Sequence, residues 1–228
     1  MKRSIAALAL AFIASAAFAA EAAIGSIKDF NGKVEIQRPG AAWTTAKRGD
    51  SVFKGSIVSV GFRSSAVIQT EDSTITVKAL TRLSIEDIVK TSGGTKTELY
   101  LSSGSVRTEV TPAAGQKAEF RVKSPTATAS VRGTGFEFDG VNLIVFHGAV
   151  LLTSPTGRSR LVRRGYASFI TSSNDVILPF RAPPEGIVSI AAMGSRYERD
   201  KSGRTTPVMM RPIRPAASDT AVISVSAY

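Results

Sequence analysis

The chain is poor in residues arranged for catalysis. His147 is its only histidine and stands beside Gly148, a pairing that reads as a turn. A serine nucleophile would need this imidazole to act alone as base, without a carboxylate placed to orient it. Glu71-Asp72 and Glu86-Asp87 are adjacent pairs. In strands such neighbours point to opposite faces, and in turns they face water, so neither supplies the opposed carboxylates of a glycosidase. No spacing of ligands for zinc or calcium is present, and with no cysteine there is no thiolate site. The expectation is a protein without cofactor or metal.

Arginine, glycine and aromatic residues carry the remaining chemistry. In Val131-Arg132-Gly133-Thr134-Gly135-Phe136 the glycines suggest a phosphate loop, but neither Gly-x-x-x-x-Gly-Lys nor Gly-x-Gly-x-x-Gly occurs, and an aromatic strand follows where such loops open a helix. Arg132 reads first as a structural guanidinium, satisfying turn carbonyls or a nearby carboxylate, and second as a contact for an anion or partner. Arg158, Arg160 and Arg164 fall on one face of a strand with Val162 among them, a basic ledge able to meet carboxylates or phosphates. The competing reading is an edge strand charged against aggregation. Trp43, the only tryptophan, reads first as a core residue and second as a platform for a sugar ring.

These residues must be positioned by strands. From Ile24 to Ile170 apolar and polar residues alternate with period two, and Gly, Ser, Asp and Asn punctuate the runs. Strands are expected at Ile57 to Val60, Ser65 to Thr70, Thr74 to Leu80, Arg82 to Ile85, Thr97 to Leu101, Ser105 to Val110 and Ala118 to Lys123. Asn31-Gly32 suits a type I′ turn, which predicts a hairpin pairing Ile27 with Ile36. Thr126, Thr128 and Ser130 alternate with Ala127, Ala129 and Val131; Gly133 and Gly135 then bend the chain, and Phe136 and Phe138 open the next strand on one face. Connections too short for crossover helices imply antiparallel neighbours, hence an all-β antiparallel sandwich or rolled sheet of many short strands. No strict repeat of a solenoid kind is visible.

The ends have a different character. Lys2 and Arg3 precede an apolar run from Ile5 to Phe18, and Ala17-Phe18-Ala19 offers a cleavage site, so residues 1–19 read as a secretory signal peptide. At 14 residues the run is short for a membrane helix. A mature chain starting near Ala20 is expected, periplasmic or secreted, with no transmembrane span and no lipidation cysteine. Losing Lys2 and Arg3 takes the net charge from +11 to +9, which favours anionic surfaces, and export argues against nucleic acid as the partner. The expected division is 20–172 as the β domain and 173–228 as a mostly irregular tail, which holds six of the ten prolines. Within the tail a short strand at Val222 to Val225 is possible from its pattern.

The stretch FRVKSPTATASVRGTGFEF, followed by LIVFHGAVLLTSPTGRSRLVRRGYASFI, resembles the FecR domain of iron-dicitrate-type regulators. Val131, Arg132, Gly133, Thr134 and Phe136 fit the family's Val-Arg-Gly-Thr-x-Phe core. Upstream, GKVEI, Trp43 and RGDSVFKGSIVSVGFRSSAVIQTEDSTITV follow the family's order of elements, so the likeness extends from about Ile24 to Ile170. It implies an extracytoplasmic β module, with those five residues as a structural motif. The family's transducers resemble a three-part design of cytoplasmic sigma-factor-binding segment, membrane span and external domain. Here a signal peptide takes the place of the first two parts. The resemblance therefore implies a non-enzymatic binding or signalling accessory of the cell envelope, whose partner is an envelope protein or an anionic glycan or lipid surface. The alternative is a module binding envelope polysaccharide or cell wall, and a remote one is an envelope hydrolase using His147.

Overall fold

In a computed structural model, residues 23–91, 94–112, 114–182, 197–199 and 205–207 are described. The expected signal peptide and the possible strand at Val222 to Val225 lie outside them. Every regular element among these residues is a β-strand, as the period-two pattern requires. Strands β1 (Gly25–Asn31), β4 (Ser51–Val52), β6 (Ser65–Thr70), β7 (Ser73–Val77), β10 (Val106–Val110), β13 (Gly135–Phe138), β14 (Asn142–His147), β17 (Tyr166–Phe169) and β18 (Phe180–Arg181) form one sheet, sheet A. Sheet B holds β2 (Val34–Gln37), β3 (Trp43–Thr45), β5 (Ile57–Val60), β8 (Thr81–Thr91), β9 (Gly94–Ser103), β11 (Lys117–Lys123), β12 (Thr128–Val131), β15 (Ala149–Thr153) and β16 (Ser159–Arg163). A separate pair joins β19 (Tyr197–Arg199) to β20 (Thr205–Pro207).

The chain weaves between the two sheets. After one or two strands in sheet A it crosses to sheet B through a tight arch, lays down one or two strands there, and crosses back. Spatial order within each sheet follows sequence order almost throughout, 4-1-6-7-10-13-14-17-18 in sheet A and 3-2-5-8-9-11-12-15-16 in sheet B. Alternation explains why this closes into a sandwich: Val58 and Val60 of β5, Ala66 and Ile68 of β6, and Ile75 and Val77 of β7 are inward and fully buried, while their neighbours face out. Phe120 of β11 and Phe136 of β13 meet edge to face across the core, ring centres 6.3 Å apart.

Three expectations are corrected. The Asn31-Gly32 turn does not make a hairpin: β1 pairs with β4 and β6, whereas β2 pairs with β3 and β5. Ile27 and Ile36 are both buried, but from opposite sheets. The turn is held as an arch by Ser64, whose Oγ accepts the Lys33 N–H at 2.9 Å while Gly61 N–H donates to the Lys33 carbonyl. Antiparallel pairing also has one exception, since β9 and β11 run parallel in register from Gly94↔Lys117 to Tyr100↔Lys123. The intervening β10 lies in the other sheet, so the connection between them is itself a crossover. Finally, sheet A continues past residue 172. Ile170 bridges Val176, which joins the core, and β18 pairs with β17.

Candidate binding surface

The Arg-Gly-Thr stretch is an arch from β12 in sheet B to β13 in sheet A. Val131 is buried at its start and Phe136 beyond its end. Gly133 holds φ at +71°, with Pro112 packed against the position a Cβ would take, 3.3 Å from the proline Cδ. Thr134 is buried, and its hydroxyl donates to the Ala149 carbonyl at 3.1 Å. The Thr134 carbonyl accepts the Val110 N–H at 3.1 Å. The arch is thus tied to both neighbouring strands. Gly135 matters for another reason, because it lies between Glu109 on β10 and His147 on β14, whose side-chain tips would have to move aside for any Cβ. The space it leaves lets Glu109 Oε2 and His147 Nε2 approach to 3.2 Å. His147 ends β14 at the Gly148 arch, where a hairpin turn was expected.

Arg132 departs from its structural reading. Its side chain is exposed and, among the described residues, meets no carboxylate or carbonyl. The Thr134 carbonyl of the turn is taken by the Val110 N–H, and the Arg132 guanidinium is left to solvent.

The ledge is divided differently from expectation. Val162 is fully buried and faces the sandwich, while Arg160, two residues before it, is exposed. Arg158 is ion-paired with Asp175. Arg164 lies in the arch to β17, its N–H donating to the Gly148 carbonyl at 3.0 Å, with its side chain exposed. The outward residues of β16 are instead Ser159, Leu161 and Arg163, which the sequence reading passed over. Period-two counting from buried Val162 would have found them.

Cross-strand register assembles these positions into a surface on the outer face of sheet B. Arg121, Ser130, Leu151 and Leu161 stand in one row across β11, β12, β15 and β16. Beside it lie Glu119, Arg132, Ala149 and Arg163, the last two directly paired. Small side chains at Ser130 and Ala149 leave a groove of about 490 Å³, walled by Arg121, Arg132, Leu151 and Leu161. Leu151 and Leu161 are 41% and 47% exposed. Toward the middle of the sheet the charges are matched: Arg121 pairs with Glu119 and Glu98, and Lys123 with Glu98 at 2.9 Å and Glu86 at 3.6 Å. Hydrogen bonds from Lys123 and then Lys96 hold the Glu98 carboxyl below its ordinary range, and the Glu98 contact raises the Lys123 ammonium. Toward β16 the matching stops.

Trp43 is not in the core. It lies on edge strand β3, 36% exposed, with the Arg82 guanidinium 5.0 Å from its ring centre. A three-residue edge strand offers no second layer to cover an indole. β3 and β16 are opposite edges of a nine-stranded sheet, about 38 Å apart at ~4.8 Å per strand, so Trp43 and the arginines do not share a site. The acidic pairs are engaged structurally: Asp87 binds Lys54 at 3.0 Å and Asp72 is buried. Among the described residues no three metal-ligating side chains gather, and no helix is long and apolar enough to cross a membrane.

Two sheets threaded by short arches, with an Arg-Gly-Thr arch at the centre of the weave, define an all-β domain. The FecR protein family matches residues 56–151, from just before β5 into β15, so the chain carries a FecR region there, arch included. The strands β1 to β4 and β16 to β18 lie outside the matched span. Two crystal structures of a candidate anti-sigma factor from Parabacteroides distasonis ATCC 8503, at 1.65 and 2.50 Å, are similar to the chain at 16% identity and a TM-score of 0.46. The likeness covers 55% of this chain and 59% of theirs, less than two thirds of those structures. No curated protein matches the chain.

Proposed function

We propose that this protein is an exported, non-enzymatic FecR-domain protein that acts as a binding or signalling accessory in the cell envelope. The observation that carries the reading is the unmatched corner of sheet B, where Arg132 and Arg163 have no partner among the described residues and stand beside exposed Leu151 and Leu161 in a region otherwise laced by ion pairs. Solvated arginines beside bare leucines are a poor arrangement for stability alone and a good one for contact. The FecR match over residues 56–151 and the signal-peptide pattern expected from the sequence support the same reading. Recovery of the protein from the periplasm or medium with an amino terminus near Ala20 tests the localisation. Retention in the cytoplasm with Met1 in place would overturn it.

A second reading, a module for envelope polysaccharide, is favoured by the exposure of Trp43 beneath Arg82, since an accessible indole face can stack on a sugar ring. Specific binding on a glycan array that disappears in Trp43→Ala would establish it in place of the first.

A further inference from the structure

Open sheets need their edges protected, and three of the four edges of the two nine-stranded sheets are protected by being short. β4 and β18 have two residues each and β3 has three. The fourth, β16, has five and pairs with β15 along its whole length from Ala149↔Arg163 to Thr153↔Ser159. Its other side has no strand among the described residues.

Charge alone does not account for this edge. A strand built only to repel neighbours would present cations and little else, yet the outward position at its centre is Leu161, opposite Leu151. Beside that apolar pair run Arg132 and Arg163 without carboxylate partners among the described residues, and Arg164 follows in the next arch. Arginines 31 residues apart in sequence are brought together because the arches at 132–134 and 148 are tied by the Thr134–Ala149 bond, and Arg164 N–H bonds Gly148 in turn. The result is a free strand edge, apolar in the middle, with guanidinium groups that favour carboxylates.

We propose that β16 is a docking edge for an extended acidic segment of a partner protein, which adds to sheet B as a tenth strand, setting an apolar side chain beside Leu161 and carboxylates against Arg163 and Arg164. This rests on the binding-accessory reading and names its partner chemistry. A free backbone edge favours a peptide over a glycan or lipid, because only a peptide continues the ladder of N–H and C=O groups.

The test uses the mature chain, residues 20–228, and a fluorescent peptide of alternating sequence Asp-Val-Glu-Leu-Asp-Val-Glu. The expected result is saturable binding that weakens with salt and slows deuterium uptake at residues 159–163. Binding should fall roughly tenfold or more in Arg163→Ala, Arg164→Ala, and similarly when alternate peptide amides are N-methylated. Both arginines are exposed and, among the described residues, unpartnered, so the double variant should melt as wild type does. Absence of saturable binding, equal binding of the N-methylated peptide, or equal binding by the double variant would overturn the proposal. Arginine-dependent binding of phosphatidylglycerol vesicles without peptide binding would overturn strand addition while leaving the accessory reading intact, whereas cytoplasmic retention would strike that reading alone.

Discussion

The glycines of the central arch do different work, and substitution separates them. Gly133 has a left-handed backbone and a proline against it, so Gly133→Val should cost about 1–3 kcal/mol in urea unfolding. Gly135 has no such φ, and the obstacles to a side chain there are the tips of His147 and Glu109. Gly135→Ala should cost less than about 1 kcal/mol, and less still beside His147→Ala, where the collision is relieved. Arg132→Ala should stay within about 0.5 kcal/mol of wild type, because its guanidinium holds nothing in the fold. A large loss at Arg132 would restore the structural reading that its exposure argues against. The inward Phe136 and the turn glycines were legible as residue types. Freedom of Arg132 was not, since it depends on which groups satisfy the turn carbonyls.

Among the elements, the parallel pair β9 and β11 is the least ordinary and is held on its outer face by Glu98, which reaches Lys96, Arg121 and Lys123. The Glu98 carboxyl is lowered in the folded state, so its contribution is present above the unfolded value near 4.5 and is lost as pH falls through the lower folded value. Glu98→Gln should therefore destabilise by about 1 kcal/mol at pH 7, and thermal melts of variant and wild type should converge as pH drops below about 4.5. A gap that persists in acid would assign the loss to packing. Strands β5 and β6 coincide with their expected spans because their alternation is uninterrupted. The parallel pairing was hidden, because alternation reports which face of a strand is buried and is silent about its neighbour and direction.

At the scale of the molecule, each strand contacts mainly the strands laid down before and after it in its own sheet, so the sandwich grows along one axis as repeat proteins do, without a sequence repeat. Its far end is closed by Val176 and β18. A chain ending at Ser173 loses that closure along with the Arg158–Asp175 pair, and should be less stable by about 1–3 kcal/mol in urea than one ending at Ala182. Equal stability would place residues 174–182 outside the cooperative unit and return its boundary to about 172.

By itself the sequence determined that this chain forms short strands, which of their residues turn inward, where the backbone must bend and that the Arg-Gly-Thr stretch has the FecR pattern. Those properties are local: they follow from period two, from side-chain size and from the few residues that accept tight turns. Tertiary structure decided that Asn31-Gly32 crosses between sheets, that Trp43 lies on an edge, that Val162 withdraws from the arginine ledge and that Arg132 and Arg163 come to share a corner with Leu151 and Leu161. The physical reason is the same in each case. A strand with one apolar face is satisfied by any partner that covers that face, so choice of partner and register rests on arch contacts such as Ser64 with Lys33 and Thr134 with Ala149, made by residues distant in the chain.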